Sequence, residues 1–157
     1  MILNLITLST VKTQLGINST TYDAQISAMI PVVSSDVRRI LNCNFDIRYV
    51  AAFNSSAASI DFGVTSNVFY NANYGIDLPF AVGQVVYHPN IAEDTYLTAY
   101  DPTTGLYTLS NTPSGIGDYV CPTITIAQWS TIAKMVWYKI SSQNTTSVNE
   151  ERLSSYT

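Results

Sequence analysis

Few residues in this chain are able to do chemistry, and their spacing argues against most of it. His88 is the single histidine. A metal site with two imidazoles is therefore impossible, and a Ser-His-Asp triad would have to use this one ring. It stands in "VVYHPN", at a strand end before Pro89, where a surface or hydrogen-bonding role is commoner than catalysis. Seven carboxylates (Asp46, Asp61, Asp77, Glu93, Asp94, Asp101 and Asp118) are scattered over 73 residues, mostly in turns, which suits neither a catalytic acid/base pair nor a calcium loop. Cys43 and Cys121 are far apart and lack CxxC spacing, so they predict buried free thiols rather than a disulfide framework or a zinc site. No GxGxxG and no P-loop appears. The sequence thus predicts no catalytic, metal or cofactor-binding residue, and a protein that is not an enzyme.

Aromatic residues offer a second kind of chemistry, since the chain holds eleven tyrosines. Phe69, Tyr70 and Tyr74 cluster beside Asn71 and Asn73. Flat apolar rings with amides nearby are what carbohydrate recognition uses, and the same residues also serve strand packing and loop anchoring. Stacking of single-stranded nucleic acid is a weaker match, because Arg48 is the only basic residue between positions 46 and 125.

Charge excludes further classes. Only 11% of residues are charged, less than half the usual share of about 25%. Solubility then falls to Ser, Thr, Asn and Tyr, and the reading is either a surface covered by partners or a neutral β-rich protein soluble by itself. The net charge of −4 is uneven. Residues 1–45 with 126–142 set Lys12, Arg38, Arg39, Lys134 and Lys139 against Asp23 and Asp36, net +3. Residues 46–125 carry the seven carboxylates against Arg48, net −6, and residues 143–157 carry −1. Neither part holds the basic stripe that tight nucleic-acid binding by counterion release needs. The opening "MILNLITLS" lacks the basic region and apolar length of a secretory leader, and no run approaches a membrane span.

The elements that would position these residues follow from glycine, proline and periodicity. Six of seven glycines and five of six prolines fall between residues 46 and 125, as expected for a β block flanked by helices. In "LITLSTVKTQLGI", Thr7 is a candidate N-cap, Leu8, Val11 and Leu15 recur at helical spacing, and Gly16 supplies a left-handed stop. The helix is too short to stand alone. A second helix is expected from about Thr21 to Leu41, with Tyr22, Ile26, Met29, Ile30, Val33, Val37, Ile40 and Leu41 in one apolar stripe. Asp23 in its first turn and Arg38 and Arg39 in its last suit the helix dipole. Pro31 predicts a kink near Ser27–Pro31 or two helices meeting there.

A third helix, "TIAQWSTIAKMVWYKISS", opens with Thr125 and Gln128 in capping-box spacing. Trp129, Ile132, Ala133, Val136 and Ile140 line one face. Met135, Trp137 and Tyr138 point elsewhere, and either contact a neighbouring subunit or complete one wide internal face. Residues 143–157 are polar and weakly patterned, and are expected to be disordered when free. The middle block reads as short strands, "IRYVAAF", "SNVFY", "GQVVYH", "TYLTAY", "GLYTLS" and "VCPTITI". Asp101-Pro102 starts a turn, with Gly105 at positive φ before the next strand. The predicted fold class is α+β: a small antiparallel helical bundle of N- and C-terminal helices, with an inserted antiparallel β-barrel or sandwich-like block. Its parts are residues 1–45, the inserted β domain 46–125, a core helix 126–142 and a flexible tail 143–157.

"ITLSTVKTQLGI" followed by "YDAQISAMIPVVSSDVRRIL" resembles the head-to-tail connector (adaptor) family of tailed bacteriophages. The matching positions are Ile6, Thr7, Leu8, Val11, Lys12, Leu15, Asp23, Ile26 and Ile30. The closing helix, with Trp129 and the run Ile132 to Tyr138, is similar to the family's last helix. The resemblance implies a structural virion protein of the neck, assembled in the host cytoplasm. It implies a ring, commonly dodecameric, that joins the portal to the tail or the next neck component and lets double-stranded DNA pass without sequence-specific binding. It also implies that the C-terminal segment reaches the portal, which makes Val148, Arg152, Leu153 and Tyr156 the candidate docking residues. Met135, Trp137 and Tyr138 are the candidates for packing between subunits. The alternative reading is a carbohydrate- or receptor-binding tail module that uses Phe69, Tyr70 and Tyr74.

Overall fold

The computed structural model of the chain describes residues 3–43, 45, 47–62, 80–104 and 106–154, with side chains as far as Gln143. The chain divides into two compact units, Met1–Cys43 with Gln128–Thr157, and Asn44–Ala127.

The first unit holds three helices, α1 (Leu8–Leu15), α2 (Asp23–Leu41) and α3 (Trp129–Ser154). Thr7 caps α1 as expected, its hydroxyl oxygen accepting the Thr10 amide at 3.2 Å. Gly16 ends it at φ 69°, a left-handed conformation that strains residues with a Cβ. Eight residues cannot hold a helix in water, so α1 depends on packing. Val11 supplies the buried contact, together with two residues that precede the helix, Leu5 and Ile6. Leu8 and Leu15 are only half-buried.

The segment before α1 is tied to α2 by polar contacts. The Leu5 amide donates to the buried Ser34 hydroxyl at 3.0 Å, and Arg38 donates to the Leu3 carbonyl. Lys12 and Asp23 pair at 2.8 Å between α1 and α2.

α2 is one helix through Pro31, so the alternative of two helices does not hold. The proline ring is exposed, while Ile26, Ile30, Val33, Ser34 and Val37 are buried. The buried stripe is shorter than the sequence predicts, because Ile40 is 66% and Leu41 46% exposed. Helical period keeps these two near the same face, but within the buried stripe the last covered residue is Val37. Asn42 closes α2 at φ 50° and the Cys43 amide donates back to the Arg38 carbonyl at 3.1 Å. Cys43 is exposed, against the expectation of a buried thiol, since it lies beyond the helix end; Cys121 is buried.

α3 is entered through a 3-10 turn at Ile126–Gln128, and Thr125, the expected N-cap, is instead the last residue of a strand. Ile132, Ala133, Val136 and Ile140 are buried on one face, as their spacing requires. Burying a side chain of this kind contributes about 1.5–3 kcal/mol. The backbone of residues 143–154, expected as an unstructured tail, continues this helix.

The second unit is a sheet of six strands: β1 (Tyr49–Phe53), β2 (Ser59–Asp61), β3 (Gln84–Tyr87), β4 (Leu97–Asp101), β5 (Leu106–Leu109) and β6 (Gly117–Thr125). All pairings are antiparallel, in the order β3-β6-β1-β2-β5-β4. The outer strands then meet. Val85 bridges Tyr96, the Gly83 amide donates to the Leu97 carbonyl at 2.6 Å, and the Val86 amide to the Thr95 carbonyl at 3.0 Å. This seam makes the sheet a nearly closed barrel rather than a sandwich, which pairs strand edges that would otherwise be open.

Five of the six expected strands are present within a few residues of their expected limits, and "SNVFY" lies outside the described residues. β2, with three residues, was not anticipated. The Asn54 side chain builds the turn before it by accepting the Ser56 amide at 2.9 Å. Asp101 builds the next hairpin turn as expected, accepting the Thr103 amide at 2.8 Å and the Thr104 hydroxyl at 3.0 Å; Gly105 lies outside the described residues. Inside, Ala51, Phe53, Ile60, Phe62, Phe80, Val86, Ile91, Leu97, Leu109 and Val120 form the core. Phe62 stacks on Phe80 at 4.2 Å and 16°, with Tyr107 and Tyr49 edge-on to the pair. Such ring pairs add about 0.5–1.5 kcal/mol beyond burial.

Candidate inter-subunit surface

α3 carries the three residues predicted to meet a neighbour, and the structure separates them. Successive helical residues are turned by about 100°, so Met135 and Trp137 flank the buried Val136 on opposite sides. Both are half-buried. Trp137 packs edge-on against Tyr22 at 5.1 Å and 86°, inside its own unit. Tyr138 lies on the side away from the core face and is 73% exposed. Of the three, Tyr138 is the most exposed.

The cations of this unit are largely committed to internal contacts. Lys139 pairs with Asp36 at 2.8 Å, and Arg39 joins the same carboxylate at 3.3 Å. These partners, Lys139 foremost, hold the Asp36 carboxyl below its usual range, against a smaller opposing effect of burial. Lys12 is paired with Asp23, and Arg38 donates to Leu3. Lys134 is exposed. Charge committed in this way is poorly suited to gripping phosphates. Beside α1 runs an open groove bordered by Leu8, Lys12, Gly16 and Ile17.

The chemistry-bearing residues of the barrel are similarly occupied. His88 is 7% exposed, packed edge-on against Phe53 at 5.0 Å and Tyr119 at 4.6 Å. Its Nδ1 accepts the Asn90 amide at 3.0 Å, the hydrogen-bonding role expected of it, but inside the fold rather than on its surface. Burial holds its pKa below the usual value; Asp118 opposes this and Arg48 adds to it. The Asp101 carboxyl is lowered by the amide and hydroxyl bonds of its own turn. Among the described residues no group of three or more His, Cys, Asp or Glu side chains could hold a metal, and no helix is long and apolar enough to cross a membrane.

The remaining candidates are beyond the described side chains. Val148, Arg152 and Leu153 stand on the helical backbone of α3, but their side chains, like all of Tyr156, lie outside the described residues. So do Phe69, Tyr70 and Tyr74. Sequence reasoning named Ile6 but missed the other two residues that hold the N-terminal segment, Leu5 and Ser34. A serine on the apolar stripe of α2 was the available signal.

No curated protein and no solved structure matches the chain. One family model does, described as phage gp6-like head-tail connector protein, over residues 5–79. The matched segment contains α1, α2, β1 and β2, together with the Leu5–Ser34 and Lys12–Asp23 contacts. α3 lies outside it. Residues 5–79 are thus similar to the phage gp6-like head-tail connector family, the family that the N-terminal helices resemble.

Proposed function

We propose that the protein is a structural subunit of a phage neck, forming a ring that joins the portal to the tail and through which DNA passes. The family match over residues 5–79 carries this reading. The packing of the helical unit agrees with it. A ring needs two different faces on each subunit, and this unit offers an outward Tyr138 on α3 and an open groove beside α1. Committed cations and an acidic barrel suit a wall past which DNA slides.

In this reading residues 143–157, with Val148, Arg152, Leu153 and Tyr156 as anchors, dock on the portal. Many weak contacts in a ring gain from multivalency without any one being strong.

The test is the mass of the purified full-length protein with and without the portal of its own phage. A ring or a portal complex is expected, and removal of residues 144–157 is expected to abolish it while leaving the barrel folded. Failure of the full chain to bind the portal, at concentrations where the portal is intact, overturns the reading.

A further inference from the structure

We propose that His88 is the pin of a pH-sensitive latch, which fixes the 114–116 end of the 110–116 loop at one end of the barrel while the imidazole is neutral and frees it when the ring is protonated. The latch rests on one hydrogen bond. Nδ1 accepts the Asn90 amide at 3.0 Å, which requires a lone pair there and puts the proton of the neutral ring on Nε2.

Asn90 is in turn what holds the 114–116 end of the loop, while the 110–111 end is held separately, by the Ser110 amide on the Tyr96 carbonyl at 2.9 Å and the Asn111 side chain on the Thr95 hydroxyl at 3.1 Å. The Asn90 carbonyl accepts the Ser114 amide at 2.8 Å and the Ser114 hydroxyl at 3.1 Å, and the Asn90 side-chain Nδ2 donates to the Ile116 carbonyl at 2.8 Å. The turn itself is closed by the Ile91 amide on the His88 carbonyl at 2.9 Å, with Ile91 in the core. Three contacts to the 114–116 end of the loop therefore depend on the position of one residue, whose own amide is held by the imidazole.

Protonation converts this acceptor into a donor. Two N–H groups then face each other, and the bond is lost outright rather than weakened. The ring packs edge-on against Phe53 and Tyr119. The charged groups acting on it are Asp118, which favours the proton, and Arg48, which lies over the Tyr119 ring at 4.3 Å and opposes it. The 110–116 loop contains no titratable side chain. Burial is the largest influence and opposes the proton.

The latch is therefore shut above the ordinary histidine value of 6.5 and opens as pH falls below it. What it releases has a consequence at the surface. The loop displays Ile116, 78% exposed, the most exposed large apolar side chain among the described residues. A partner that reads this end of the barrel would meet an ordered Ile116 at neutral pH and a loosened one in acid.

The test uses NMR on the full chain, in which the ring signals of the only histidine need no assignment. Titration from about pH 8 to about pH 4.5 brackets the transition. The expected midpoint lies below 6.5. Protection of the Ser114 amide from exchange, corrected for the intrinsic pH dependence, should fall about tenfold or more with the same midpoint. The Leu109 amide, bonded to the Ala58 carbonyl elsewhere in the barrel, should stay protected. His88→Asn places an amide oxygen near the Nδ1 position and should keep Ser114 protected throughout. A midpoint at or above 6.5, unchanged Ser114 protection, loss of Leu109 and Ser114 together, or the same loss in His88→Asn each overturns the proposal. If His88→Asn does not fold, the wild-type comparison of Ser114 with Leu109 decides.

Discussion

The ring of Phe53 fills the space that a Cβ on Gly117 would need, and the two residues face each other across β1 and β6 next to a register shift in β1. The glycine lets the ring cover the backbone of β6, so that Phe53 reaches the core and the edge of His88. Gly117→Ala forces the ring aside. Overpacking of this kind costs about 1–3 kcal/mol. Chemical denaturation followed by barrel tyrosine fluorescence should show the loss, and unchanged stability would mean that Phe53 moves without cost.

Ser34 is fully buried and accepts the Leu5 amide. Ser34→Ala leaves that amide without its acceptor in a site closed to water. The expected loss is about 1–3 kcal/mol. Because Leu5 and Ile6 are part of the helical core, hydrogen exchange of the Leu5 amide should quicken as well. Stability equal to wild type would show that Leu3–Ile6 contributes little to the fold.

How much of this was legible depends on what decides each feature. The Thr7 cap, the Gly16 stop, the α3 core face and the Asp101 turn were legible because each is set by residues within four positions of one another. β2 was not, since three residues hold no readable period and its place is fixed by β1 and β5. Ile40 and Leu41 have the right period, but burial requires a covering element that the pattern of α2 does not specify. Trp137 and Tyr138 looked alike as aromatic neighbours. Only the fold shows that one packs on Tyr22 and the other is 73% exposed. Ser34 reads as a flaw in an apolar stripe until Leu5 is brought to it from 29 positions away.

Asp36 links α2 to α3 through Lys139, and the pair sets a direction of pH dependence. Its folded pKa is lowered, so its contribution is present above the ordinary value of 3.8 and is lost as pH falls through the lowered one. The carboxylate meets solvent, so the contribution to stability is small and weakened by salt. Removing the ammonium in Lys139→Ala should raise the Asp36 midpoint toward 3.8 in a carboxyl NMR titration. No movement would show that Arg39 alone holds the carboxylate.

The separation of residues on α3 allows folding and assembly to be tested apart. Val136 is fully buried, and Val136→Ala removes two methyl groups from the core, at a cost on the order of 2 kcal/mol to folding. Trp137→Ala loses its contact with Tyr22 and should also lower the melting temperature. Tyr138 is 73% exposed, and the effect of Tyr138→Ala on folding should lie within about 0.5 kcal/mol. If Tyr138 anchors a neighbouring subunit, the same substitution weakens ring contacts by about 1–3 kcal/mol. Native mass measurements of the portal complex, read beside thermal melts of the free chain, distinguish the cases. A Tyr138→Ala chain that melts and assembles like wild type removes this residue from the interface and leaves the groove beside α1 as the surface to probe.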